Sequence, residues 1–328
     1  MLHDLLPLDR FLPLPEHAGQ ERKLRRTGVE IEFAGLSLPH VAELVQARWG
    51  GEITCEDVRD YRVRGGRLGE IKVELDISIK LRWAEDLAAR SLGDLVPIEI
   101  VTPPLDPADL PECDHLMTEL YRAGAQGTRA RLAYGFGIHF NTEIPSRRGV
   151  VAIARAYALL EDWLRGSDPI DPARRILPFV DPWPGALRDA LSQAERWEVA
   201  DLAHAYGLHA PSRHYGLDLL PVLEHLCPVV IVAVPSAHLK GGRPTFHYRL
   251  PETRLDEAGW SLAYEWNRWC LIEHVATDGA LLDALARGWR SHRAQITRTT
   301  AAWVQQVEAL LQKAQIPGRM GLGSGNPA

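Results

Sequence analysis

The chain has 328 residues, 46% hydrophobic and 24% charged, with a formal net charge of −6. That is the composition of an ordinary globular protein, long enough for one large domain or two small ones. The acidic balance gives no electrostatic basis for nucleic-acid binding, and the longest apolar run, Val229 to Val234 between two prolines, is too short to span a bilayer.

Cys55, Cys113, Cys227 and Cys270 are widely spaced and form no C-x-x-C pair. The N-terminus lacks a basic stretch followed by an unbroken apolar core. The cysteines therefore read as reduced thiols of a cytoplasmic protein without a secretory leader.

Residues 1–22 read as an irregular arm rich in Leu and Pro. Thr27 to Phe33 then alternates strictly, Val29, Ile31 and Phe33 against Glu30 and Glu32, as a strand buried on one face does. Pro39 opens a helix through Trp49 that Gly50-Gly51 closes. Strands follow near Glu52–Cys55 and Asp60–Val63, and Gly65-Gly66 reads as a hairpin turn. Ile71 to Ile79 alternates again, with Lys72, Glu74, Asp76 and Ser78 on the polar side, and Pro97 to Thr102 sets Glu99 opposite Ile98 and Ile100. A helix is predicted over 109–122, then a strand, Gly135 to Glu143, with Gly137, His139, Asn141 and Glu143 on one face.

From there the pattern turns helical: Val150–Leu164, Leu187–Tyr206 and Pro211–Leu226. One more strand, Thr245–Leu250, sets His247 and Arg249 opposite Phe246, Tyr248 and Leu250. Residues 255–314 are predicted helical with a break near Asp278-Gly279, and the Gly-rich tail after Pro317 is predicted disordered. No linker divides the chain, so 23–316 reads as a single domain.

The polar faces of these strands carry Glu30, Glu32, Glu74, Asp76, Glu99, His139, Asn141, Glu143, His247 and Arg249. An isolated E-x-E is ordinarily a solvated outer face. A face so rich in carboxylate, with few basic residues, also suits hard divalent cations, and His139 admits Mn²⁺ beside Mg²⁺. Both readings stand on pattern alone, because the strand order is unknown. Lys240-Gly241-Gly242-Arg243 offers two cations and backbone N–H groups to a phosphate, or is a solvated turn. The chain has no phosphate loop of the G-x-x-x-x-G-K-[ST] type, no G-x-S-x-G and no H-E-x-x-H. His204, His209, His214 and His225 read as surface or satisfied core residues.

Taken in order, Thr27-Gly28-Val29-Glu30-Ile31-Glu32-Phe33, Glu74-Leu75-Asp76-Ile77-Ser78, Glu99-Ile100-Val101-Thr102-Pro103-Pro104 and Gly137-Ile138-His139-Phe140-Asn141 resemble the amidoligase family. These are carboxylate-amine ligases related to glutamine synthetase and glutamate-cysteine ligase. Arg213-His214-Tyr215-Gly216-Leu217-Asp218 resembles the family's R-Y-x-x-L-N helix motif, and Phe246 to Pro251 its E-F-R strand.

The resemblance implies an α+β fold: a curved, mainly antiparallel sheet of glutamine synthetase/glutamate-cysteine ligase type with helices on one face. It implies ATP with Mg²⁺, and an amide bond made through an acyl phosphate from a small-molecule or peptide carboxylate and an amine. The implied metal ligands are Glu30, Glu32, Glu99, His139 and His247. Arg249, Lys240, Arg243, Arg213 and Tyr215 are the expected nucleotide contacts, and Arg249, Glu99 and His139 the catalytic set. Substrate contacts are expected from the loops at Arg62–Arg67 and Gly166–Pro184. Two departures stand out: His247 where the family carries Glu, and Asp218 where it carries Asn. They keep open a degenerate ligase fold acting through nucleotide or partner binding. A guanidino kinase ranks behind both, for want of a cysteine in a matching context.

Overall fold

The computed structural model describes residues 2–20, 24–75, 97–128, 135–167, 180–229 and 234–322. The fold is α+β, an open sheet of eight strands with ten α-helices among the described residues. The strands are β1 (Thr27–Phe33), β2 (Glu52–Asp57), β3 (Asp60–Gly66), β4 (Gly69–Leu75), β5 (Ile98–Val101), β6 (Ile138–Thr142), β7 (Leu217–Asp218) and β8 (His247–Tyr248). They lie in the order β2-β3-β4-β5-β1-β6-β8-β7, and every neighbouring pair is antiparallel.

Alternation decides what each side of the sheet does. Val29, Ile31, Phe33, Ile71, Val73, Ile98, Ile100, Ile138 and Phe140 are all buried. Each such side chain contributes about 1.5–3 kcal/mol when withdrawn from water. Helix α1 (Leu38–Trp49) lays Val41, Ala42, Val45 and Trp49 on this side, and Gly50, at φ 76°, ends it as the glycine pair predicts. Helices α2 (Leu110–Arg122), α3 (Arg147–Ser167) and α7 (Leu262–Ala276) add to the same core. The Trp266 ring meets Phe140 edge-on at 5.5 Å, and Trp269 lies 5.2 Å from Tyr248.

The other helices are α4 (Gly185–Leu191), α5 (Val199–His209), α6 (Leu220–Leu226), α8 (Gly279–Ala294), α9 (Thr300–Lys313) and α10 (Ile316–Arg319). Four expectations need correction. The helix predicted over 187–206 is two, α4 and α5, parted by turns around 192–197; Glu198 and Asp201 form a capping box that restarts the chain as α5. Pro211–Leu226 is not one helix. Arg213 to Gly216 is irregular, Leu217–Asp218 pairs with β8, and only Leu220–Leu226 is helical. The reason is local: Gly216 has no room for a side chain, since a Cβ there would lie 2.5 Å from the buried Tyr157 hydroxyl. The Asp218 carboxylate meanwhile takes the N–H of Leu220 at 2.9 Å and starts α6. Residues 295–299 add a second break to the C-terminal helices. The tail beyond Pro317 is ordered through Leu322, which is buried with Met320; 323–328 lie outside the described residues, as do Asp76 to Ile79 and 168–179 of the Gly166–Pro184 loop.

The described arm, residues 2–20, is irregular beyond a 3-10 turn at Leu2–Leu5 and lies against α7. Asn267 accepts the Leu12 N–H and donates to the Pro7 and Arg10 carbonyls. Arg25 and His17 both reach the fully buried Glu273. Among the described residues no helix is long and apolar enough to cross a membrane.

Candidate active site on the polar face of the sheet

The face opposite the core floors a cavity of about 940 Å³. Register aligns its carboxylates. Asp60 pairs with Glu74, Glu74 with Glu99, Glu99 with Glu32, and Glu30 pairs with His139 on the other side of β1. Glu30, Glu32, Glu74, Glu99, His139 and His247 all line the cavity, and so do Arg213, Lys240, Arg243 and Arg249. One wall is thus acidic and the facing segments are cationic.

The centre is tightly organised. Glu30 accepts from His139 Nδ1 at 2.6 Å through one oxygen and from Asn141 Nδ2 at 2.8 Å through the other. Glu32 Oε2 takes the Gly137 backbone N–H at 2.7 Å. Burial opposes ionisation of Glu30, yet the hydrogen bond from His139 and the nearness of His247 hold its carboxyl well below the ordinary range. Burial pushes His139 down to about 3; Glu30 offsets this in part, while Arg249 and His247 push it lower. His139 is therefore a neutral imidazole at pH 7, donating through Nδ1 to an ionised Glu30. Burial likewise raises the Glu74 carboxyl, with Asp60 and Glu30 adding to the effect against Lys72 and Arg62.

His247 is fixed from the edge of the sheet. Its cross-strand partner is Asp218, whose Oδ2 lies 3.3 Å from His247 Nδ1 and accepts Arg213 Nε at 3.0 Å. Burial would raise the Asp218 carboxyl, but His247 and Arg213 hold it down. Short β7 is itself anchored from behind. Trp183 Nε1 donates to the Leu217 carbonyl at 2.9 Å, and the Trp183 N–H is held by buried Glu161.

The donor atoms suit a metal. Glu30, His139 and His247 offer ligand atoms within 4.8 Å of one another, and so do Glu32, Glu99 and His139. Nε2 of His139, Nε2 of His247 and Oδ1 of Asn141 are buried without a hydrogen-bond partner. Unpartnered polar atoms are costly in a protein interior unless something occupies them.

All but one of the residues predicted for the site meet in this cavity. The exception is Tyr215, which is not among the lining residues and packs edge-on against Tyr206 at 6.3 Å. Arg249 reaches the lining with its Nη1 on the Arg213 carbonyl. Lys240 and Arg243 are exposed on the loop before β8, and neither has an ion-pair partner among the described residues. The expected substrate loop at Arg62–Arg67 is elsewhere. Arg62 and Arg64 are tied to Asp60, Glu56 and Glu70, and Arg67 to Asp109 and Glu112. The opposite end of that hairpin, Asp57, Arg59 and Asp60, reaches the cavity instead. His214 and His238 also line it, their rings 5.5 Å apart. Sequence held no signal for Arg59 or His238. The fixing of His247 by Asp218 was signalled only in that both depart from the family's pattern.

The family model described as "Putative amidoligase enzyme" matches residues 23–271. No curated protein matches the chain.

Proposed function

The chain belongs to the amidoligase family, and from that premise we propose that it is an ATP-dependent carboxylate-amine ligase that forms an amide through an acyl phosphate. One observation carries the reading: carboxylates and His139 share a sheet face with Arg249, in one cavity whose far segments supply Arg213, Lys240 and Arg243. Phosphoryl transfer needs charge neutralisation and alignment more than a protein nucleophile. On this reading the sheet is of glutamine synthetase/glutamate-cysteine ligase type.

Glu30, Glu32, Glu99, His139 and His247 would hold Mg²⁺ or Mn²⁺. Bound there, such ions neutralise phosphate charge and align the transferred group. Arg249 takes two phosphate oxygens in a planar fork, which a lysine cannot do. Arg213, Lys240 and Arg243 bind the remaining phosphates. Neutral His139 keeps Glu30 oriented and ionised through its Nδ1 proton. Asp57, Asp60 and Glu74 line the end of the cavity suited to an amine, and Arg59 beside them suits a carboxylate. The substrates are a small-molecule or peptide acid and an amine, in a cytoplasmic setting. A degenerate ligase fold drew its support from His247; as a donor set between Asp218 and Glu30, His247 serves the site instead.

Hydroxylamine tests the reaction class. With ATP, Mg²⁺ and a panel of acids, the protein should give a hydroxamate with ADP and phosphate. AMP and pyrophosphate would replace the acyl phosphate by an adenylate, and ADP without hydroxamate would indicate a kinase. No turnover across a broad panel of acids and amines would favour the degenerate fold.

A further inference from the structure

We propose that the hairpin end of the cavity is a zwitterion subsite, in which Glu74 takes the ammonium and Arg59 the free carboxylate of the amine substrate. That substrate is then an amino acid or a short peptide, not a simple amine or a polyamine. The proposal deepens the ligase reading and rests on it for calling the bound molecule a substrate.

The β2–β3 connection is as short as a hairpin allows. Asp57 pairs with Asp60, which leaves Val58 and Arg59 as the two turn residues. Val58 is 77% exposed, while Arg59 lines the cavity. The Arg59 carbonyl accepts the Leu75 N–H at 3.1 Å, which fastens the turn to β4 beside Glu74. Glu74 lines the same cavity, and its cross-strand partners are Asp60 on one side and Glu99 on the other.

The protein leaves both of these charges unused. Arg59 stands between Asp57 and Asp60 in sequence, yet its guanidinium has no hydrogen bond or ion pair among the described residues. Its neighbours are engaged elsewhere: Asp60 holds two nitrogens of Arg62 at 2.6 and 2.7 Å, and Asp57 takes the Val58 N–H. The other arginines of β3 and the turn after it, Arg62, Arg64 and Arg67, are all paired. The Glu74 carboxylate likewise has no hydrogen bond or ion pair among the described residues, and the two do not pair with each other.

Two opposite charges in one cavity, each without a partner, define what fits between them. A simple amine would meet Glu74 and leave Arg59 unanswered. A polyamine would bring a second cation against Arg59, and a dicarboxylic acid would bring an anion against Glu74 and Asp57. A molecule with both charges answers both residues, and a guanidinium can grip its carboxylate through two parallel hydrogen bonds. Register sets the orientation. Glu99 lies one strand from Glu74, about 4.8 Å away, so an ammonium on Glu74 faces the carboxylates at the centre of the sheet. The carboxylate on Arg59 is held out at the hairpin tip.

The test uses the full chain with Mg²⁺ and a non-hydrolysable ATP analogue, at low ionic strength because salt screens exposed charges. Affinities are read by saturation-transfer nuclear magnetic resonance titrations, without turnover. The probes are the common amino acids, each set against its decarboxylated amine, such as alanine against ethylamine and lysine against cadaverine, and glycylglycine against its amide. At least one amino acid or the dipeptide should bind at least about tenfold tighter than the partner lacking the carboxylate. Arg59→Ala, at an exposed turn position, should bring that ratio to within about twofold of unity, and Arg59→Glu should invert it in favour of the amine. Glu74→Gln should weaken both members of the pair at least about tenfold, a pattern distinct from the lost ratio of the Arg59 variants. Equal affinity within every pair, a preference that survives Arg59→Ala, a Glu74→Gln variant that binds as wild type does, or no binding of any probe would overturn the proposal. So would an Arg59→Ala variant that loses succinate relative to butyrate but no amino acid, since Arg59 would then serve the acid. The ligase reading fails separately: this selectivity with no hydroxamate for any acid would keep the subsite and remove the reaction.

Discussion

Glu32 does two jobs that two substitutions separate. Its Oε2 holds the buried N–H of Gly137 at 2.7 Å, and its Oε1 faces His139 Nε2 at 3.5 Å. Glu32→Ala leaves a buried backbone donor unpaired, a loss of about 1–3 kcal/mol. Glu32→Gln keeps an acceptor for Gly137, at the difference between a charged and a neutral hydrogen bond, on the order of 1 kcal/mol. Its new amide N–H can also meet the bare His139 Nε2 and recover part of that loss. Stability in denaturant should therefore fall in the order wild type, Gln, Ala, with Gln within about 1 kcal/mol of wild type. Metal-dependent nucleotide binding should weaken at least about tenfold in both, because neither replacement brings a negative charge; tenfold corresponds to about 1.4 kcal/mol. Denaturation and Mg·ATP calorimetry on the same samples measure both effects. A Gln variant that binds Mg·ATP as tightly as wild type would refute the metal role of Glu32, and one as unstable as the Ala variant would refute the account of Gly137.

Further outcomes follow from single contacts. Arg249→Lys should lower kcat/KM by the equivalent of about 2–3 kcal/mol, since a point charge replaces a fork that would grip two phosphate oxygens; equal rates would remove Arg249 from the site. Gly216→Ala drives a Cβ to 2.5 Å from the Tyr157 hydroxyl and should destabilise the fold by about 1–3 kcal/mol, seen as a lower denaturation midpoint. For Glu273, burial raises the carboxyl, but His17 and Arg25 hold it below its ordinary value. A depressed carboxyl contributes stability above its unfolded pKa, about 4.3, and loses it as pH falls through the folded value. Stability should thus drop below about pH 4, and Glu273→Gln should flatten that limb while costing about 3–5 kcal/mol at pH 7. An unchanged acid limb in the variant would exclude this group as its source.

The strands were legible because one side of each packs in the apolar core and the other carries polar side chains toward the cavity, which imposes a two-residue period on Thr27–Phe33, Ile98–Val101 and Ile138–Thr142. The same period assigned Glu30, Glu32, Glu99 and His139 to one side before any strand order was known. Reading Arg213–Asp218 as helix failed where local signals gave way to tertiary ones. Tyr157 forbids a side chain at position 216, and pairing with β8 pulls Leu217–Asp218 into the sheet. The partnership of Asp218 with His247 spans 29 residues and depends on cross-strand register, which periodicity does not encode. The same is true of the β2–β3 hairpin, whose tip reaches the cavity while its arginines pair along its length. Tyr215 shares with Arg213 the segment that resembles the family's R-Y-x-x-L-N motif, but on this irregular stretch only Arg213 lines the cavity while Tyr215 packs against Tyr206.

The central claim is that the carboxylate-rich face of this sheet, and no other surface, is where nucleotide and metal meet. A crystal structure with Mn²⁺ and a non-hydrolysable ATP analogue, phased to reveal anomalous scattering from the metal, tests it most directly. The account predicts manganese peaks within ligand distance of carboxylate oxygens of Glu30, Glu32 or Glu99 and of Nε2 of His139 and His247, with the terminal phosphate held by Arg249. Manganese and nucleotide bound away from these residues, or nucleotide in this cavity with its phosphates turned from Arg249, would contradict it.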